Sequence, residues 1–169
     1  MIAPSKIRAV AERYYEENIE FRTFLKEHAD CDELDAQFLE LHNELFNDHD
    51  CCKCNNCCKA YAITFSDSDI DAVSKYLGLQ RDAFVSEYLD ESDYDEDGYK
   101  TKEQPCVFLC DDGKCRIQEC KPESCKGFPF TDQPDRLGSM LGVIDFAEEC
   151  PVVFEILKRL KGIYGFEWR

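Results

Sequence analysis

Several features that define other classes of protein are missing from this sequence of 169 residues. No apolar run approaches the length of about 18 residues that a membrane-spanning helix needs. The N-terminal stretch has no apolar region of an export signal, so we expect a cytoplasmic protein. No glycine-rich phosphate loop, nucleotide-binding fingerprint, nucleophile elbow or HExxH motif occurs. If the protein is an enzyme, a metal centre or a partner must therefore supply its chemistry.

Basic residues are also scarce. The chain has 20 Lys and Arg against 36 Asp and Glu, which gives a formal net charge of −16. Such a surface repels phosphate backbones and anionic lipid heads, so we expect neither nucleic acid nor a membrane as partner. The same negative charge would tend to lower the reduction potential of a bound iron–sulfur centre.

Cysteine, by contrast, is abundant, with 12 residues. In a reducing compartment these are thiols, which favours metal binding over a disulfide framework. The densest stretch is Cys51-Cys52-Lys53-Cys54-Asn55-Asn56-Cys57-Cys58, and packing alone does not explain it, because a buried cysteine acts only as a small hydrophobe. Soft thiolates select zinc, copper(I) or iron–sulfur clusters. The stretch therefore predicts a metal or cluster site.

Apolar spacing predicts a mostly helical α+β fold in a single compact domain, with a small β-hairpin and irregular loops that carry the cysteines. Residues 5–29 and 32–47, with Asp32 as N-cap, predict a helical hairpin. We assign residues 1–48 to this hairpin and residues 49–169 to a cysteine-cluster domain, packed as one unit. The hairpin is expected to cover that domain, and a role in binding a protein partner stays open.

The rest of the chain divides into short elements. Ser66 is expected to cap a helix that stops at Gly78. The residue types then predict a helix at 80–90, an acidic connection at 91–104, a tight hairpin at 107–117 and a strand at 140–146. Cys150-Pro151 is expected to open a last helix. Within the connection, residues 93–98 match the first half of an EF-hand loop, but Gln104 stands where its bidentate Glu belongs, so we expect a solvated loop.

Several short motifs between residues 51 and 155 form one pattern. They are CxxCxxCC at 51–58, Ile63-Thr64-Phe65 before a helix, Pro105-Cys106-Val107-Phe108-Leu109, Cys115-Arg116-Ile117, Lys121-Pro122, Cys125-Lys126-Gly127-Phe128-Pro129 and Cys150-Pro151. In this combination the chain resembles the CxxCxxCC cysteine-cluster family of the YkgJ type, a zinc- or iron-chelating domain. Gln118 departs from the usual Tyr, and Lys121 and Lys126 stand where the family has Arg, which removes a bidentate donor.

The resemblance implies a set of thiolate ligands and an activity. The ligands are Cys51, Cys54, Cys57, Cys58, Cys106, Cys115, Cys125 and Cys150. Members are often described as oxidoreductases, and flagellin lysine N-methylase is a more distant likeness, so redox or protein-modification chemistry is implied. We expect an iron–sulfur cluster or iron. The alternative is zinc in a structural or interaction module, because a closed four-thiolate zinc site leaves no position for substrate.

The other candidate ligands carry weaker signals. Cys52, Cys110 and Cys120 lie close enough in sequence to act as spare ligands, although a four-coordinate centre leaves little room for them. Cys31 is expected to be an ordinary thiol between two helices. His49 is expected to be a polar loop residue rather than a ligand, and His28 and His42 are expected on helix surfaces.

Overall fold

The computed structural model describes residues 1–92 and 98–168. The chain is a mostly helical α+β protein, as predicted, and its described residues form a small three-stranded antiparallel sheet. Its contacts divide it into two compact units: the first unit, residues 1–50 with 129–169, and the cysteine unit, residues 51–128. The sequence had grouped residues 129–169 with the cysteines instead. Within the described ranges, no helix combines the length and the apolar character that crossing a membrane requires.

The first unit is built from four helices. After a short 3-10 turn, α1 spans Ile7–His28 and α2 spans Cys31–Asn47, followed late in the chain by α8, Met140–Phe146, and α9, Pro151–Ile163. The two predicted hairpin helices are therefore confirmed. The N-cap of α2 is Asp30 rather than Asp32, because the Asp30 carboxylate accepts the backbone N–H of Glu33 at 3.0 Å. Cys150 is the N-cap of α9, and Pro151 is its first residue, as predicted.

Residues 140–146 form α8, so the strand predicted there is wrong. The run is short and apolar, and such a run suits a buried helix as well as a strand. Met140, Val143 and Ile144 lie three or four residues apart and are all buried. The helix packs against both α1 and α9. Because the apolar residues recur at helical spacing, a helix places them on one face, and burial of that face decides the conformation. The same packing explains why this segment groups with the N-terminal helices.

The loop at residues 130–136 is held against α2 by polar contacts. The Asp35 carboxylate accepts the backbone amides of Asp135 and Arg136 at 2.7 and 2.8 Å. The imidazole Nδ1 of His42 lies 2.8 Å from the hydroxyl of fully buried Thr131. His42 is half-buried rather than on the surface as expected, whereas His28 is exposed.

Where the structure describes it, the cysteine unit contains a three-stranded antiparallel sheet and five helices. The strands are β1, Thr64–Phe65, β2, Leu89–Glu91, and β3, Tyr99–Thr101, in the order β1-β3-β2, with Phe65 opposite Tyr99 and Leu89 opposite Thr101. The helices are α3, Cys51–Cys54, α4, Asn56–Ala60, α5, Asp67–Leu77, α6, Arg81–Tyr88, and α7, Glu123–Lys126. Ser66 makes a capping box with Asp69, and Gly78 ends α5 at φ 71°, both as predicted.

The buried side chains of the cysteine unit gather behind the cysteine-bearing loops. They are Phe65, Ile70, Val73, Phe84, Leu89, Cys106, Phe108 and Ile117. Cys58, Cys115 and Cys120 pack against this cluster while partly exposed. The core therefore fixes the backbone on which these thiols are carried.

The hairpin expected at 107–117 is present in a short form. One antiparallel bridge joins Leu109 and Cys115, and around it Cys110 donates to the Lys114 carbonyl and Arg116 donates to the Phe108 carbonyl. The connection expected at 91–104 contains β3, which pairs with both other strands. Residues 93–97, which include most of the EF-hand-like stretch, lie outside the described part of the chain.

Candidate metal centre

The CxxCxxCC stretch is carried by two short helices separated by one left-handed residue. Asn55 lies between α3 and α4 at φ 55°, a conformation that Asn tolerates better than most residues. Its backbone amide closes α3 on the Cys51 carbonyl at 3.0 Å, and its own carbonyl accepts the amide of Lys59 at 3.1 Å. The cysteines at 51 and 54 therefore lie on one helix, and those at 57 and 58 lie on the next.

A tight turn at residues 110–114 contacts this helical pair. The Asn55 side-chain amide donates to the Gly113 carbonyl at 2.8 Å and to the Cys51 carbonyl at 3.3 Å. Gly113 has φ 83°, and a Cβ placed there would lie 2.4 Å from the Cys52 carbonyl oxygen. Only glycine fits both the conformation and the close approach. The turn therefore holds α3 beside the segment that carries Cys110 and Cys115.

Cys106 and Cys115 are joined to the same region through the backbone. The Cys106 amide donates to the Cys58 carbonyl at 2.7 Å, and Leu109 bridges to Cys115. The side chains two residues beyond these cysteines, Phe108 and Ile117, are buried in the core. These buried neighbours fix the Cys106 thiol within the core cluster and the Cys115 thiol at its edge.

Backbone amides donate hydrogen bonds to several of the thiols. The amides of Asn56, Phe108 and Ile117 donate to the sulfurs of Cys54, Cys106 and Cys115, in each case from two residues further along the chain. Such bonds stabilise the thiolate over the thiol, and they are among the factors that set the potential of an iron–sulfur centre. These loops are therefore suited to hold thiolates.

Burial and neighbouring thiols oppose ionisation at the other end of the site. Burial raises the pKa of Cys106 to about 11 and that of Cys125 to about 12. For Cys125, the adjacent thiols of Cys106, Cys58 and Cys115 raise the pKa further. A bound cation favours the thiolate form of each ligand. These buried cysteines are therefore far better suited to bind a metal ion as thiolates than to carry negative charge without one.

Cys58 differs from the other thiols. A hydrogen bond from Cys57 lowers its pKa to about 6, against the opposing effect of burial, and the positive charges of Lys121 and Lys59 contribute. The negative charge of the Cys58 thiolate raises the pKa of five other thiols, those of Cys51, Cys54, Cys106, Cys115 and Cys125. At least one thiol from each of the three cysteine-bearing segments therefore interacts with Cys58.

Lys121 is a part of the site that the sequence did not reveal. Its charge acts on the thiols of Cys51, Cys58, Cys115 and Cys125. It follows the short 3-10 turn Gln118–Cys120 and is half-buried. The sequence analysis noted Lys121 only as a departure from the family's Arg. Its position between Cys120 and Cys125 in the sequence could have indicated a cation close to the thiols.

Seven of the eight predicted ligands lie in the cysteine unit: Cys51, Cys54, Cys57, Cys58, Cys106, Cys115 and Cys125. The eighth, Cys150, lies in the first unit and is buried at the start of α9, so its membership of the site stays a prediction. As the side chains stand in residues 1–92 and 98–168, no group of three or more Cys, His, Asp or Glu is arranged to hold a metal ion.

The remaining candidates fall around this set. Cys52 and Cys110 are exposed, and Cys120 is half-buried against the core with its pKa raised by burial and then by Cys115. Cys31 is exposed at the start of α2 in the first unit. His49 makes an edge-on contact with Phe46, with ring centres 6.1 Å apart, which accords with a loop position.

Comparison with known proteins agrees with this site. The CxxCxxCC family, described as "Putative zinc- or iron-chelating domain", matches residues 50–151, which is more than half of the chain. The protein therefore belongs to the CxxCxxCC family and carries its metal-chelating cysteine-cluster domain. No curated protein and no solved structure matched the chain in the same comparison.

Proposed function

We propose that this protein binds iron, as iron ions or as an iron–sulfur cluster, through the thiolates of its cysteine unit, and that it serves a redox or protein-modification reaction in the cytoplasm. The observation that carries the proposal is the convergence of interactions on Cys58 from thiols of three separate segments. The backbone donors to Cys54, Cys106 and Cys115 support it, because such donors tune iron–thiolate centres.

The roles of the chain's own groups follow from their positions. The cysteines would lose their protons to become ligands. The backbone amides of Asn56, Phe108 and Ile117 hold part of the negative charge in place. The positive charge of Lys121 balances more of that negative charge. Bound iron would supply electron transfer or Lewis-acid chemistry, which none of these side chains provides.

The second candidate is a zinc-stabilised interaction module without catalytic activity. It is favoured by the scarcity of regular structure where the cysteines lie: α3, α4 and α7 have only four or five residues each, and one bridge holds residues 109 and 115. A closed tetrahedral zinc would cross-link these segments, since structural zinc contributes directly to folding. The net charge of −16 supports a protein partner over nucleic acid or a membrane surface for either candidate.

Metal content and colour separate the two candidates. Protein purified without oxygen should be analysed for iron, zinc and acid-labile sulfide on the sample used for an absorbance spectrum. Brown colour with a broad band near about 400 nm and stoichiometric iron would support the first candidate. A colourless protein with stoichiometric zinc would replace it with the second.

Variants test the ligands themselves. Cys54→Ser and Cys57→Ser should lower metal content and the melting temperature, because metal binding and folding share their free energy here. Cys31→Ser is the matched control, since Cys31 is an exposed thiol of the first unit, and it should change neither quantity. Unchanged metal content in both ligand variants would refute the assignment.

A further inference from the structure

Charge is distributed unevenly along the chain. The two cysteine-bearing segments, residues 51–61 and 105–128, contain six Lys and Arg but only four Asp and Glu, a formal charge of +2 with neutral thiols. The rest of the chain contains 14 Lys and Arg against 32 Asp and Glu, a formal charge of −18. Each of the six cations is next to a cysteine in the sequence: Lys53, Lys59, Lys114, Arg116, Lys121 and Lys126. The segments that carry the candidate metal centre are therefore cationic within an acidic protein.

Local carboxylates neutralise only part of this positive charge. Lys114 and Lys126 each form an ion pair with a carboxylate two or three residues away, at 3.6 and 2.8 Å. In the part of the chain that the structure describes, no carboxylate lies within ion-pairing distance of Lys59, Arg116 or Lys121. Three positive charges of these segments therefore have no carboxylate partner among the described residues.

Lys59 and Arg116 are exposed because the residues next to them are packed on the core. On α4, Cys58 contacts the core cluster, and Lys59 beside it is exposed. In the segment 114–117, the first and third side chains are exposed, and the second and fourth contact the core. Extended backbone produces this alternation, since successive side chains point to opposite faces. Both cations are therefore accessible to a partner.

Backbone hydrogen bonds hold the carriers of these two cations to one short stretch of chain. The amide of Cys106 donates to the carbonyl of Cys58, the residue before Lys59, at 2.7 Å. The amide of Arg116 donates to the carbonyl of Phe108 at 2.8 Å. Because positions 106 and 108 are two residues apart, cations from two distant segments are anchored to the same part of the unit.

We propose that Lys59, Arg116 and half-buried Lys121 form a docking surface for a short acidic segment of a protein partner. Carboxylates complement ammonium and guanidinium groups, and Arg116 can bind one carboxylate through two parallel N–H···O bonds. An extended polyanion or an anionic membrane would also face the acidic residues of the rest of the chain, which repel it. A short segment avoids this repulsion, because charges more than about 8 Å apart are largely screened at physiological salt.

This inference goes beyond the proposed function and holds for iron or zinc alike. Six of the seven predicted ligand cysteines in this unit are buried or half-buried, whereas Lys59 and Arg116 are exposed, so a partner meets these cations first. The thiolates of a loaded site would add negative charge, and the bound metal would offset part of it. Docking through a few exposed charges is expected to be weak and sensitive to salt.

Peptide binding to the reduced, full-length protein tests the proposal. A fluorescein-labelled hexaglutamate peptide should bind at about 10 mM salt and bind more weakly at about 150 mM, as followed by fluorescence anisotropy. The matching hexaglutamine peptide should not bind. Binding of both peptides, or of neither, would overturn the proposal. A single-stranded oligonucleotide and phosphatidylserine vesicles are tested in parallel, and tighter binding of either would exclude an acidic peptide segment as the preferred occupant.

Two charge-matched double variants locate the surface. Lys59→Gln with Arg116→Gln should weaken the hexaglutamate complex by about 3- to 10-fold, the effect of losing two exposed ion pairs. Lys75→Gln with Lys158→Gln removes the same charge from exposed positions on α5 and α9, and should weaken it by less than about 2-fold. Equal weakening in both would show that only net charge matters and would refute the surface.

Metal content and amide shifts complete the test. The double variants are compared at equal metal content, so that loss of metal cannot explain a loss of peptide binding. If a variant does not fold, amide NMR shifts of the unmodified protein decide the question when hexaglutamate is added. Changes at residues 58–61 and 114–122 would support the surface, and changes confined to other parts of the chain would refute it.

Discussion

The backbone amide of Cys106 donates to the carbonyl of Cys58 at 2.7 Å, and this contact joins the two halves of the cysteine cluster, which are 48 residues apart in the chain. A second tie runs from the side-chain amide of Asn55 to the Gly113 carbonyl at 2.8 Å. Neither bond involves a thiol. Hydrogen bonds within the chain therefore hold the cysteine-bearing segments together, and metal binding needs to position only the cysteine side chains.

Gly113→Ala should destabilise the cysteine unit and weaken metal binding. The added Cβ meets the Cys52 carbonyl at 2.4 Å, and the left-handed conformation strains any other residue, at a cost of about 1–3 kcal/mol. Chemical denaturation and competition with a chelator measure the two effects. Gly142→Ala is the control, because nothing lies within 4 Å of its Cβ position in α8. That change should be neutral or stabilise by up to about 1 kcal/mol. Equal effects at both positions would contradict this account of the turn.

Asn55 should tolerate glycine better than alanine. Both substitutions remove the side-chain bond to the Gly113 carbonyl, which is worth about 1 kcal/mol. Alanine adds the cost of the left-handed conformation, roughly 1–2 kcal/mol, whereas glycine adopts it freely. Amide hydrogen exchange at residues 110–116 should therefore quicken in Asn55→Gly and quicken further in Asn55→Ala. The reverse order would show that the backbone of Asn55 is not what the helical pair requires.

His42 should make the first unit less stable in mild acid. Burial lowers its pKa below the ordinary value of 6.5, although Asp132 acts in the opposite direction. The unfolded chain therefore binds the proton first as pH falls below 6.5. The free energy of unfolding should decrease from there down to the folded pKa. His42→Gln should show a smaller decrease, because glutamine does not titrate, whereas His49, whose pKa burial also lowers, is retained. Denaturation curves for both proteins between about pH 5 and pH 8 measure the difference. Parallel curves would exclude His42 as the source.

The sequence accounts well for local structure. Ser66 and Gly78 mark the ends of α5 through a cap and a left-handed stop, and Pro151 opens α9, because these signals act over one helical turn. The cysteine spacing likewise identified the family before any geometry was known. These features depend on residues that are close together in the sequence, so they can be predicted from the sequence alone.

Other features depended on distant contacts and were missed. Residues 140–146 became a helix because α1 and α9 cover their apolar side, and a seven-residue run carries no signal strong enough to show this. The strand β3 lies inside the connection expected at 91–104, and it was missed because its partner β1 is distant in the chain. In both cases packing or a long-range hydrogen bond outweighed local preference.

The cysteine motifs by themselves determined that this chain is a metal-chelating protein of the CxxCxxCC family, since soft ligands at such density serve little else. Only the tertiary structure decided how those cysteines are arranged. It placed seven of them in one unit, put Cys150 in the other, and brought Lys121 to the thiols. The physical reason is that ligand chemistry belongs to the residue type, whereas the position of a thiol depends on the core and the backbone bonds that carry it.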